Sequence, residues 1–152
     1  HNDYVYGHSV NVCAIASKIG LKMDYHHSKI TNLALGALFH DIGMTKIPIE
    51  IIMKNDKLTE AERELIKLHP ETGYKMLKGL VNLSSTAALV AYQHHERCDG
   101  SGYPRGLDQK AIQNQTWRRW SLSPVKLGRS LIRRSLRFCL ISFIMRFKTQ
   151  LI

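Results

Sequence analysis

The chain has 152 residues, 44% of them hydrophobic and 22% charged, with a formal net charge of +10 at neutral pH. That is enough for one domain with a packed core, while no run of about 18 apolar residues offers a membrane span and no basic start before an apolar stretch offers a signal peptide. The charge is uneven: residues 1–112 carry 13 Lys/Arg against 12 Asp/Glu, a net of +1, and residues 113–152 carry 9 Lys/Arg and no acid, so the basic excess is no nucleic-acid signature of the first part.

In chain order, Val5, Val12, Ile15 and Ile19 recur at helical spacing and predict an amphipathic helix over residues 4–19, with His8 close to its buried stripe. A second helix is predicted over 28–39, with Ile30, Leu33, Ala34, Ala37 and Leu38 as its apolar face; it delivers His40 and Asp41 at its end, close to Gly43. Pro48 opens the short apolar segment IEIIMK. Thr59 followed by Glu62 is a capping-box pattern and predicts a helix over 60–68; Pro70 restarts the chain as a helix to residue 78. Ser84 or Ser85 caps another, TAALVAYQHHER, whose last turn carries His94 and His95. No period-two alternation predicts a strand, so the fold expected is all-α, a compact helical bundle.

After Ile112 the pattern breaks, and we divide the chain into 1–112 and a basic, acid-free segment 113–152. A basic amphipathic helix over 131–147 would suit a membrane surface or a nucleic acid; the alternative, which the abrupt change of composition favours, is the product of a shifted reading frame near Gln113. Three widely separated cysteines, odd in number, argue against a disulfide framework and fit the cytoplasm. A first residue that is His1 and not Met leads us to expect a piece of a longer polypeptide with an upstream sensor or receiver domain.

All eight histidines lie at or before His95. Imidazole nitrogen and carboxylate oxygen suit Fe, Mn or Zn, and two such ions a few ångströms apart can activate a water for attack on phosphorus. His8, the pair His40 and Asp41, His69, and the pair His94 and His95 sit on different predicted elements, as ligands converging on a bundle interior must. Each has a plainer reading. A lone histidine such as His69 is more often a surface or hydrogen-bonded residue, and adjacent histidines on a helix point about 100° apart, so one of His94 and His95 could be core and the other exposed. His26 and His27, which precede a helix without a flanking motif, are left unassigned.

In combination, HSVNV at His8, LFHDIG…KIP around His40 and Asp41, LTEAERELIKLHPETGYKML around His69, and HHERCDGSGYPRGL resemble successive blocks of the HD-GYP domain family, in order and spacing, over about residues 4–112. The resemblance implies a helical bundle of the HD superfamily, its C-terminal part incomplete here, with a centre of two divalent metal ions, Fe or Mn first. It implies hydrolysis of the bacterial second messenger cyclic di-GMP to pGpG or GMP. His40 and Asp41 would be catalytic. His8, His40 and Asp41 would hold one ion, and Asp41 would bridge to a second held by His69, His94 and His95. The loop with Arg97, Asp99, Gly100, Gly102, Tyr103 and Pro104 would meet substrate, or a diguanylate cyclase domain as partner; its plainer reading is a structural turn. Glycines 100 and 102 allow close approach of a ligand, and Pro104 would keep Tyr103 extended at the pocket mouth. Glu96 and Arg97 would either orient the histidines or form a structural ion pair.

Three departures bear on activity. Met44 stands where the family has a lysine that touches phosphate, and a thioether cannot replace that charge; Lys46 is two residues on. Tyr4 stands where members with a third ion have a glutamate, so two ions are expected. After Asp108 there is no Asp or Glu, although the family places a metal-binding aspartate on the next helix. Impaired turnover is expected. The alternatives are a catalytically degenerate metal-binding or interaction module and a general HD-type nucleotide phosphohydrolase.

Overall fold

The computed structural model describes residues 2–112, the side chains of residues 2–5 and 109 excepted. The segment 113–152, with its expected basic helix and aberrant reading, lies outside the described residues, as does the side chain of Tyr4. Seven α-helices are present among the described residues: α1 (Asn2–Lys22), α2 (His27–Leu38), α3 (Ile49–Ile52), α4 (Glu60–Ile66), α5 (His69–Lys78), α6 (Ser85–Gln93) and α7 (Gln109–Ile112). A 3-10 helix, Ile42–Lys46, links α2 to α3. No strand occurs among them, as the all-α expectation requires; one isolated bridge pairs Asp99 with Asp108.

Local chemistry sets the helix starts. Thr59 and Glu62 close a reciprocal capping box at α4, the Glu62 amide donating to Thr59 Oγ1 at 3.3 Å and the Thr59 amide to Glu62 Oε2 at 2.7 Å. The Thr86 amide donates to Ser84 Oγ at 3.2 Å at α6, and the Ala111 amide to Asp108 Oδ1 at 2.8 Å at α7. His26 is the N-cap of α2, its Nδ1 accepting from the Ser28 amide at 3.4 Å. Of the unassigned pair, both exposed, His26 thus has a structural role.

Two apolar clusters hold the bundle. Val12 and Ala16 of α1 pack on Leu33 and Ala37 of α2, with Ile19, Met23 and Tyr25 at the edge. Ala88 and Ala91 of α6 pack on Leu77 of α5, flanked by Phe39, Ile42, Tyr74 and Leu83. Ile15, expected on the buried stripe of α1, is exposed, because the buried positions are set by Val12 and Ala16, one helical turn apart. Two glycines let backbones touch. A Cβ on Gly36 would lie 2.8 Å from Val90 Cβ, so α2 and α6 cross there without a side chain between them. A Cβ on Gly43 would collide with the His69 carbonyl, which keeps the 3-10 helix directly against the start of α5. These two approaches bring the ends of α2, α4 and α6 to one place.

Candidate metal centre

His40 follows the end of α2, His69 sits at the junction of α4 and α5, and His94 is the C-cap of α6. Helix ends leave carbonyls without intrahelical donors, and each histidine uses one. Nδ1 of His40 donates to Ala37 O at 2.8 Å, Nδ1 of His69 to Ile66 O at 2.7 Å, and Nδ1 of His94 to Ala91 O at 2.8 Å. A carbonyl can only accept, so each Nδ1 carries the hydrogen and each neutral ring presents Nε2 as a lone pair.

Those lone pairs face one carboxylate and each other. His40 Nε2 lies 3.0 Å from Asp41 Oδ2, while His69 and His94 Nε2 lie 3.4 and 3.3 Å from Asp41 Oδ1. His69 Nε2 is 3.1 Å from His94 Nε2. All four residues are buried. Lone pairs gathered on an anion repel unless a cation stands among them, and a proton is a poor choice: burial pulls the His94 imidazole down to about 4, against the opposing attraction of Asp41. The C-terminal ends of α2, α4 and α6 add their negative dipole ends around the same point. Anchored Nδ1 atoms and convergent Nε2 atoms are what metal-ligating histidines require, and the donor set fits a divalent transition ion.

His8 of α1 and His95 complete the group. Nε2 of His8 is shielded from solvent, and its ring centroid is 5.3 Å from that of His40. The ring of His95 is 4.2 Å from His94 and 5.0 Å from His69. Two sets of ligand atoms, each within 4.8 Å of one another, could hold an ion: His8, His40 and Asp41 in one, and Asp41, His69, His94 and His95 in the other. Asp41 is common to both. His94 and His95 both reach the cluster because α6 stops at Gln93, so the helical spacing that would have sent one of them outward no longer applies.

The loop after His95 folds back onto the centre. Tyr103 stacks on His95 with centroids 4.5 Å apart and planes 16° from parallel, and meets His69 edge-on at 6.4 Å. It is half-buried against the centre. Burial, and then the Asp41 charge, push its hydroxyl above the ordinary tyrosine range, so it stays protonated. Gly100 and Gly106 take positive φ of 77° and 61°. Arg97 pairs with Asp99, Nη2 to Oδ2 at 3.0 Å, on the surface. Glu96 is the residue that composition and spacing left undecided. It neither pairs with Arg97 in that bridge nor lies exposed: its carboxylate accepts the Arg105 amide at 2.8 Å and the Leu107 amide at 2.7 Å.

A cavity of about 520 Å³ opens on Asp41, between α1 and α3, and its wall is mostly apolar, with Val10, Phe39, Ile47 and Met53 among its residues. Met44 lines it; Lys46 is exposed and does not. No helix among the described residues is long and apolar enough to cross a membrane.

The chain is similar to a cyclic di-GMP phosphodiesterase of Pseudomonas aeruginosa, 38% identical over 111 residues, which are 73% of this chain and 27% of that protein. It is similar to the cyclic di-GMP phosphodiesterase response regulator RpfG of Xanthomonas campestris, 40% identical over 99 residues, 64% of this chain and 25% of the relative. A 3'3'-cGAMP-specific phosphodiesterase of Vibrio cholerae is 35% identical over 111 residues, 73% of this chain and 26% of the relative. The chain spans about a quarter of the length of these curated relatives. A family model described as HD domain matches residues 1–115, three quarters of the sequence. With the buried histidine and aspartate cluster at its centre, the chain belongs to the HD domain family.

Proposed function

We propose that this chain is a metal-dependent phosphodiesterase domain that hydrolyses cyclic di-GMP to pGpG or GMP, with activity impaired relative to its family. The observation that supports this most is the sharing of Asp41 between two sets of buried ligand atoms whose imidazoles present lone pairs inward. His8, His40 and Asp41 would hold one divalent ion; Asp41, His69, His94 and His95 would hold the other, Fe or Mn first. Two cations sharing a carboxylate supply, when bound, a lowered water pKa and positive charge against the phosphodiester oxygens.

The chain's own groups then divide the work. Asp41 is common to both groups of ligand atoms and is available to both ions. His40, His69 and His94 commit their Nδ1 hydrogens to carbonyls, so they act as ligands and carry no proton to the leaving oxygen. His40 is in this reading a ligand and not a general acid. Met44 lines the apolar cavity beside Asp41 and offers a phosphate no charge there, and Lys46 is outside the wall. No Asp or Glu follows Asp108 to complete the shell. Both features favour slow turnover.

Cyclic di-GMP is the substrate of choice because the relatives of 38% and 40% identity carry it in their names. The 35% relative named for 3'3'-cGAMP makes that dinucleotide the second candidate. The other reading is a metal-binding module without turnover, engaging a cyclase domain through the loop at Tyr103. An upstream sensor or receiver domain and a cytoplasmic setting belong to the same proposal, in keeping with the response-regulator relative. The test is metal analysis and hydrolysis of both dinucleotides with Mn(II) or Fe(II), on the wild type and on Asp41→Ala and His94→Ala. Two ions per chain and turnover lost with them in the variants support the enzyme. Ions bound without turnover of either dinucleotide overturn it in favour of the module.

A further inference from the structure

His40, His69 and His94 are aimed by backbone carbonyls; the ring of His95 lies flat under a tyrosine from the following loop. That loop is itself fastened from below. Glu96 is 1% exposed, and both of its oxygens accept loop amides, Oε1 from Arg105 at 2.8 Å and Oε2 from Leu107 at 2.7 Å. Between those points the backbone at Gly102 passes so close over residues 95–97 that a Cβ there would overlap the His95 carbonyl, Glu96 Cα and the Arg97 amide. The Tyr103 amide donates back to His95 O at 3.3 Å. Asp99 and Asp108 bridge at the base, and Leu107 is buried.

We propose that Glu96 is a positioning residue of the metal centre: its carboxylate holds the loop 99–107 so that Tyr103 lies on His95 and sets the direction of that imidazole toward the second ion. This rests on the two-ion reading above. A buried carboxylate between two amides makes charge-assisted bonds, and an amide side chain cannot replace it, since one of its arms would set a donor against a donor. Loop position is thereby transmitted to His95 through the stacked ring, in the way that the carbonyls act on the other three rings.

Glu96→Gln and Tyr103→Ala test this, with Tyr103→Phe as the conservative rescue. Two measurements are taken on the full chain: Mn(II) binding by titration, and the ring-current displacement of the His95 ring protons in the metal-free protein by NMR. Glu96→Gln should lose that displacement and bind one of its two ions about 10–100-fold more weakly, with the other retained. Tyr103→Ala should do the same, and Tyr103→Phe should match the wild type in both. A Glu96→Gln chain with unmoved His95 protons, or with both ions at wild-type affinity, overturns the proposal. Should Glu96→Gln lose helix content, Tyr103→Ala with Glu96 intact decides whether stacking aims His95. A wild type that binds no Mn(II) overturns the two-ion reading, while the His95 protons still decide the role of Glu96.

Discussion

Asp41 contributes an oxygen to both groups of ligand atoms, and three imidazole Nε2 atoms lie 3.0–3.4 Å from its carboxylate. Replacing it by Asn should therefore cost both ions at once, by more than the about 10–100-fold that loss of an outer-shell partner costs, and metal analysis of the purified variant checks this. Met44 permits the opposite experiment. It lines the cavity beside Asp41, where a net charged hydrogen bond to a phosphate is worth about 1.5–3 kcal/mol. Met44→Lys should lower KM for a cyclic dinucleotide by about tenfold or more, measured by steady-state hydrolysis. At this scale the sequence was informative about residue identity and silent about tautomer: histidines at 40, 69 and 94 are plain to see, but only the folded chain sets each against a carbonyl three residues earlier.

At the scale of elements, helix starts were legible because a cap is a local bargain between neighbours. Thr59 and Glu62 form their box as the spacing predicts. The Lys54 ammonium, donating at 2.8 and 2.7 Å, and the Thr59 amide hold Glu62 down at about 2, below its ordinary 4.5. Its folded pKa lies below its unfolded one, so the stability it contributes is complete above about 4.5 and is lost as pH falls toward 2. Glu62→Gln should flatten that acid limb in melting temperatures taken across the same range. Helix ends were less legible. The helix expected to carry His94 and His95 stops at Gln93, and the one expected to reach Leu68 stops at Ile66, because the tertiary demand for inward imidazoles overrides local propensity there. Gly43 makes the same point for packing. Gly43→Ala sets a Cβ against the His69 carbonyl and should destabilise by about 1–3 kcal/mol, seen in denaturant midpoints, while weakening metal binding as the 3-10 helix is pushed away from α5.

For the molecule as a whole, the centre joins three helix ends and the C-terminal loop, so ions should act as staples between them. An ion at about a hundredfold over its Kd adds about 2.7 kcal/mol of stability, and in a domain of this size each kcal/mol moves Tm by several degrees. A chelator should lower the melting temperature of Mn(II)-loaded protein by roughly 10 °C, and Asp41→Asn should melt alike with and without it. Scanning calorimetry at fixed ion concentration checks both. The segment 113–152 enters none of this, being outside the described residues, and sequencing the coding DNA around codon 113 decides between a shifted frame and a selected basic segment.

Composition and periodicity by themselves determined the helical class, the caps and the set of residues worth watching, because helix propensity and capping act between residues three or four apart. They could not determine that Asp41 belongs to two ligand sets, that Ile15 faces outward, or that Glu96 fastens a loop nine and eleven residues away. Those depend on where separate helix ends meet, and the meeting is set by backbone contacts at Gly36, Gly43 and Gly102 that no local pattern encodes.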